Sequence, residues 1–262
     1  MSESLFSSLR AEPCYADAWT TLYHGRCEDI LGQLAPSSVG LVVTDLPYGS
    51  TRNDWDKEID PKLLWHYFHE VCTERSAQVL FGSGLFSAKT IMSNPAEYRF
   101  SLVWDKQAIS GHLNAKRQPL RAHEDIHVFY RAQPPYHPQM VVGRRAHSRG
   151  RSVERTTNHW GAHVNTPARD SDLQYPRSIL RFPRPKEGLH PSQKPVDLLA
   201  WLIRTWSDPG AVVLDATCGS GSTLIAARAE GRFSIGIEAD ERYCEVAARR
   251  LASAADPGVP AS

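Results

Sequence analysis

Short runs of apolar residues punctuate the chain at 39–43, 77–81, 100–104, 126–130, 211–214 and 233–237. Most are continuous rather than alternating, the pattern of strands buried on both faces. Between and after them, apolar positions recur at helical spacing. One such stretch opens at Lys62-Leu63-Leu64-Trp65, directly after Asp60-Pro61, a suitable N-cap followed by a first-turn proline. Others follow Pro195 and run over 223–229 and 241–255. Strands alternating with helices predict an α/β fold, a doubly wound and mostly parallel sheet.

Residues 133–188 break the pattern. They are rich in Pro, Arg, His and Ser, with little periodicity, and a structureless loop of that length is uncommon in a compact domain. The chain therefore reads as one domain in two parts, 1–132 and 189–262, with an inserted segment between them.

Composition changes this picture in one respect. The 262 residues carry a net charge of +1, with 41% hydrophobic and 23% charged residues, as in an ordinary globular protein. That near-neutral balance at first argues against a polyanionic partner. Yet from Arg131 to Lys186 there are eleven Lys and Arg against three acids, a local surplus suited to nucleic acid. Arg144, Arg145, Arg149, Arg151 and Arg155 are the candidates for phosphates or guanine edges, with Asn158, His159 and Asn165 able to reach bases. No apolar run approaches the roughly 20 residues that cross a bilayer, and the first residues lack a secretory pattern, so the expected compartment is the cytoplasm. Cys14, Cys27, Cys72, Cys218 and Cys244 are scattered, with no C-x-x-C pair. Neither a disulfide framework nor a cysteine metal site is expected, and no histidine pair has a partner at ligand spacing.

Two stretches carry candidate chemistry. In Val212-Val213-Leu214-Asp215-Ala216-Thr217-Cys218-Gly219-Ser220-Gly221-Ser222-Thr223, a strand ends in an acid, turns through two glycines and opens a helix. Such a turn lets a ligand approach the backbone, and the helix start offers N–H groups to an anion. No Gly-Lys-Ser/Thr follows, and Leu224 stands where a third glycine would complete the dinucleotide fingerprint. The next strand ends at Glu238, where an acid can hold ribose hydroxyls. This Rossmann-like arrangement suits a nucleoside cofactor without pyrophosphate, and S-adenosylmethionine fits.

The second stretch is Thr44-Asp45-Leu46-Pro47-Tyr48-Gly49-Ser50, which follows the strand at 39–43. In open α/β sheets ligands sit at the carboxyl ends of strands. A carboxylate, a rigid carbonyl and an aromatic ring together suit an exocyclic amine on a flat base. Asp45 accepts one amine proton, the carbonyl of Leu46, held by Pro47, accepts the other, and Tyr48 stacks on the ring. Catalysis is then positioning and electrostatics, with no nucleophilic side chain.

Asp45-Leu46-Pro47-Tyr48 resembles the (D/N/S)PPY motif of DNA amino-methyltransferases. The motif order resembles their β class, in which the target-base motif precedes the cofactor motif. The segment from Tyr23 to Leu31 resembles the family's segment near the cofactor, which implies Cys27 at the adenine pocket. Leu102–Lys106 and Arg121–Tyr130 resemble the middle motifs. His190-Pro191-Ser192-Gln193-Lys194-Pro195 resembles the motif whose lysine-proline turn helps bind the cofactor, so Lys194 and Pro195 are implied there. Asp215, Thr217, Cys218, Gly219, Gly221, Ser222 and Glu238 follow from the cofactor loop and the next strand. The insert falls where the class keeps its target-recognition region. Leu46 replaces the usual first proline and Thr217 the usual phenylalanine. Asp at position 45 resembles the adenine-N6 enzymes more than the cytosine-N4 ones. The expected activity is site-specific methylation of DNA at adenine N6, with cytosine N4, an RNA or protein substrate, or an inactive DNA-binding relative as alternatives. The class allows a homodimer, but no sequence feature fixes one. Trp55, after the target-base motif, is expected to pack rather than to wedge beside a base.

Overall fold

The structure is a computed structural model that describes residues 11–49, 57–146, 153–157, 161–165, 171–186 and 188–254. In chain order the elements begin β1 (Tyr15–Ala16), β2 (Thr20–His24), α1 (Cys27–Ile30), β3 (Val39–Thr44), α2 (Pro61–Val71), β4 (Cys72–Gly82), α3 (Leu85–Ser93), β5 (Tyr98–Ser110) and β6 (Arg121–Tyr130). Then come β7 (Val141–Ala146), β8 (Val153–Thr157), β9 (Gly161–Asn165), β10 (Ser171–Gln174) and β11 (Ile179–Arg181). The chain closes with α4 (Val196–Trp206), β12 (Val212–Asp215), α5 (Ser222–Ala229), β13 (Phe233–Glu238) and α6 (Glu241–Ser253).

Among the described residues, nine strands form the main sheet in the order β1-β2-β13-β12-β3-β4-β6-β5-β11. It is parallel from β2 to β4 and again at β5–β11, while β6 runs antiparallel to both its neighbours. The continuous apolar runs are explained by burial on both faces. Along β3, Leu41 and Val43 enter a core with Leu198, Leu202 and Trp206 of α4, while Val39 and Val42 enter another with Trp65 and Phe68 of α2. Asp60 caps α2 as its composition suggests, its side chain accepting from the Lys62 N–H at 2.9 Å.

Residues 138–177 form a separate compact unit, and the remaining chain forms the other. That unit is narrower than the expected insert of 133–188, because Ile179–Arg181 joins the main sheet beside β5. β7 pairs with β10 and β8 with β9, both antiparallel, so a segment lacking periodicity in sequence contains two short ladders. Arg144 and Arg145 fall on β7 and Arg155 on β8, whereas Arg149, Arg151, Asn158, His159 and Trp55 lie outside the described residues.

The sulfurs of Cys14 and Cys244 meet, while Cys27, Cys72 and Cys218 are free and buried. The β1–β2 edge packs on α6, with Leu22 and Cys244 in one apolar cluster, so residues at opposite ends of the chain meet. Spacing in the sequence carries no trace of that encounter. No helix among the described residues is long and apolar enough to cross a membrane.

Candidate active site

The sheet order reverses between β12 and β3, which pair in parallel through Val213–Leu41 and Leu214–Val42. Their carboxyl ends lie side by side at a topological switch point, where open α/β sheets bind ligands. Asp215 ends one strand and Asp45 follows the other. A cavity of about 240 Å³ opens there, lined by Asp45, Leu46, Pro47, Tyr48, Thr217, Glu238, Cys27 and His190 among others. A smaller adjoining space of about 40 Å³ is lined by Lys194, Asp215, Cys218, Gly219 and Ser222. The two candidate stretches, far apart in sequence, therefore share one cleft.

Thr217 ties them together. Its hydroxyl donates to the Asp45 carbonyl at 3.0 Å and lies 2.9 Å from the Thr44 hydroxyl, while its N–H donates to Asp215 at 3.2 Å. The departure from phenylalanine at 217 thus replaces an apolar side chain with a polar clasp between the loops. Substituting Thr217→Val keeps the shape and removes both hydroxyl contacts. Such losses cost about 1–3 kcal/mol when a partner is left unsatisfied, so the melting temperature falls, as thermal denaturation will measure.

The glycine turn is held from several sides. Gly219 and Gly221 take φ of +51° and +77°, the left-handed region that favours glycine. The Gly219 N–H donates to Glu238 Oε2 at 2.7 Å and the Asp240 N–H to Oε1 at 2.8 Å. Both oxygens of Glu238 are thereby oriented at the cavity wall, and burial raises its carboxyl pKa. Burial likewise raises Asp215 to about 6, against hydrogen bonds from Thr223, Thr44 and Thr217. Arg250 of α6 reaches Ser222 at 3.1 Å, bracing the start of α5.

At the target-base motif, the Tyr48 hydroxyl donates to Asp45 Oδ1 at 2.7 Å, and the Tyr48 ring stacks on Phe86 of α3 with centroids 4.3 Å apart. The ammonium of Lys194 donates to Asp45 Oδ2. Resemblance groups Lys194 with the cofactor residues, whereas its charged end sits on the motif carboxylate. Pro195 stands at the N-cap of α4 and directs that helix, without lining either cavity. Lys194 also lies 3.2 Å from Glu124 of β6, which in turn lies 3.3 Å from Lys106 of β5. The network is largely shielded: side-chain exposure is 8% for Lys194, 14% for Asp45, 19% for Glu124 and 5% for Lys106. Burial works against the Lys194 charge, but Asp45 and Glu124 outweigh it and hold the ammonium protonated. Burial likewise opposes ionisation of Glu124, and Lys194 and Lys106 outweigh it, keeping its pKa below the usual range. Asp45 itself is raised by burial, with Lys194 opposing and Glu124 adding to the rise.

Sequence alone does not single out three contributors as functional side chains: Glu124, Phe86 and His190. His190 lines the cavity, meets Tyr243 edge-on at 4.2 Å between centroids, and is pushed down to about 4 by burial and by Lys194. At neutral pH it is an uncharged wall. Glu124 lies within the recognisable stretch Arg121–Tyr130, but its role depends on β6 running antiparallel. That direction returns the start of β6 to the sheet edge where β3 and β5 end, and pairs Glu124 with Trp104 in register.

Comparison with known proteins follows the same line. A family model described as DNA methylase, covering the N6 and N4 types, matches residues 39–249. The DNA adenine methyltransferase YhdJ of Escherichia coli (strain K12) is 38% identical over 92 residues, 33% of this chain and 31% of that protein. The chain's match thus spans about a third of this curated relative's length. Among solved structures, the M1.HpyAVI complex with SAM has a TM-score of 0.61 at 21% identity, covering 88% of this chain and 98% of that one. The cytosine-N4-specific PvuII DNA methyltransferase has a TM-score of 0.68 at 14% identity, covering 95% and 91%. At these identities the likeness to both structures is one of fold. With the family match running from the strand before Asp45 through the glycine turn and into α6, the chain belongs to the N6/N4 DNA methylase family.

Proposed function

We propose that the protein transfers a methyl group from S-adenosylmethionine to adenine N6 in DNA. The observation that carries this reading is the meeting of Asp45 and the glycine turn in one cleft at the switch point. The cofactor's fit is supported by the left-handed glycines, which keep side chains away from the turn, and by Glu238, whose oriented carboxylate suits ribose hydroxyls. Its carboxylate would lie by Gly219, Gly221 and Ser222, and its adenine by Cys27. When bound, it supplies an electrophilic methyl on a sulfonium. Asp45 and the Leu46 carbonyl hold the two amine protons so that the nitrogen lone pair faces that methyl, and Tyr48, backed by Phe86, presents a ring to the base. Asp45, which accepts one amine proton, is placed to take that proton as the amine is methylated.

Adenine is preferred over cytosine because Asp stands at position 45, as in the adenine enzymes this motif resembles. Cytosine N4 is the alternative, since the matching family covers both the N6 and the N4 types. Because the amine is paired and stacked in a duplex, the base must be extruded or taken from a single strand. The insert is the proposed target-recognition region. Replacing Arg144 and Arg145 with Ala is expected to weaken DNA binding and flatten its salt dependence by about 0.9 in log–log slope per lost phosphate contact. An unaltered slope in filter binding across salt concentrations would remove these arginines from the phosphate contacts. The proposal as a whole is tested by offering labelled cofactor with unmodified DNA, RNA and protein. Label in DNA alone is expected, and label confined to RNA or protein overturns it.

A further inference from the structure

If Asp45 is to accept a proton of the target amine, an oxygen must face the substrate. Oδ1 already accepts from the Tyr48 hydroxyl at 2.7 Å and Oδ2 from the Lys194 ammonium, so the amine must share an oxygen with one of these donors or displace it. A buried ammonium gives up such a partner readily only if another carboxylate receives it. The structure holds one. Glu124 Oε2 lies 3.2 Å from Lys194 Nζ, yet this buried oxygen makes no well-directed hydrogen bond. Lys106 engages the other oxygen at 3.3 Å, leaving Oε2 turned to Lys194. The Ser192 carbonyl, 3.3 Å from Nζ, and the Phe81 ring, 4.9 Å away, complete a surround in which the ammonium shifts between carboxylates without crossing bulk water.

We propose that Glu124 is a positioning residue that draws the Lys194 ammonium off Asp45 when the target amine enters, so that Asp45 Oδ2 meets the substrate only in the base-loaded complex. This rests on Asp45 being the amine acceptor. The four side chains supply two positive and two negative charges, so the shift moves a cation within a balanced set. Lys194 and Lys106 together keep Glu124 ionised, and Lys106, 3.3 Å away, is the member that stays in place. No proton is transferred in this step; one ion pair lengthens as another shortens.

The test uses the full chain with S-adenosylmethionine and unmodified phage DNA, under single-turnover conditions. Glu124→Gln keeps the side-chain size and removes the charge. Its methyl-transfer rate is expected to fall 10- to 100-fold, with the cofactor Kd by calorimetry changed less than threefold. Glu124→Asp, which restores the charge, is expected to regain at least part of the lost rate. In a Lys194→Met background, where no ammonium needs moving, Glu124→Gln is expected to change the rate less than threefold. A structural contribution would persist in that background. The pH profile gives a second readout. Asp45 is faced by Tyr48 on its own loop, Lys194 from the segment before α4, Glu124 from β6 and Asp215 from β12. Removing the Glu124 charge leaves Lys194 on Asp45, so the acid limb moves to lower pH. A full-rate Glu124→Gln enzyme, or an equal loss with and without Lys194, overturns the inference. Asp45→Asn run alongside separates the two levels. If it is inactive while Glu124→Gln is unaffected, only the role of Glu124 falls; if it turns over at full rate, the amine-acceptor reading falls as well.

Discussion

Asp45→Ala is expected to reduce methyl transfer by on the order of a thousandfold while changing the cofactor Kd less than threefold. The carboxylate lies at the target end of the cleft. It meets Tyr48 and Lys194 through its side chain, and only its backbone carbonyl touches the cofactor loop, through Thr217. Truncation therefore removes the proposed amine acceptor and leaves the glycine turn, Glu238 and Cys27 in place. Lys194 and Lys106 are left sharing Glu124, one buried positive charge in excess, so the melting temperature of the variant should fall while the protein still folds. Single-turnover kinetics and calorimetry measure the two quantities separately. Parent-level transfer in this variant would sink the site assignment.

The second large effect is expected at Gly221. Its φ of +77° is a conformation that L side chains adopt at a cost, and a Cβ there would lie 3.0 Å from the Ala247 Cβ and 3.4 Å from the Ala247 Cα. Gly221→Val adds a β-branched side chain to both constraints. The left-handed backbone costs about 1–2 kcal/mol and the overpacking about 1–3 kcal/mol. The turn must shift, carrying Gly219 and the start of α5 with it, so the cofactor Kd should rise by roughly two orders of magnitude or more, about 2.7 kcal/mol. Gly210 offers a control: its φ is +79°, and a Cβ there would meet nothing within 4 Å. Gly210→Val is expected to lose stability from backbone strain alone and to retain cofactor affinity. Equal affinity losses in the two variants would mean that the Gly221 turn has no special relation to the cofactor.

The parts of the fold legible in the sequence are those where one chemical fact determines the element. A strand buried on both faces must be apolar at successive positions, and β3, β12 and β13 lie where the apolar runs place them. An acid, two glycines and a helix start mark a strand–turn–helix unit wherever they occur. β2 is harder to see, because Thr20 and Thr21 interrupt its apolar character; Thr20 is buried against Ser234 of β13, 3.0 Å between hydroxyls. α3 gives little signal, since Leu85 and Met92 are exposed while Ser87 and Thr90 are buried. That inversion hides Phe86, the ring behind Tyr48. Lys194 is recognisable, but resemblance ties it to the cofactor. Its link to Asp45 and Glu124 depends on three separate segments converging at one end of the sheet, which no local spacing encodes. The same holds for Cys14 and Cys244.

The central claim is methyl transfer to adenine N6. Its most direct measurement is nucleoside mass spectrometry of unmodified bacterial or phage DNA after incubation with the protein and labelled S-adenosylmethionine. Labelled N6-methyladenine is expected with the parent protein and not with Asp45→Ala. Labelled N4-methylcytosine would contradict the base assignment while keeping the chemistry of the cleft. DNA that stays unmodified although the cofactor binds would contradict the claim that Asp45 and the glycine turn together form a DNA methyl-transfer site.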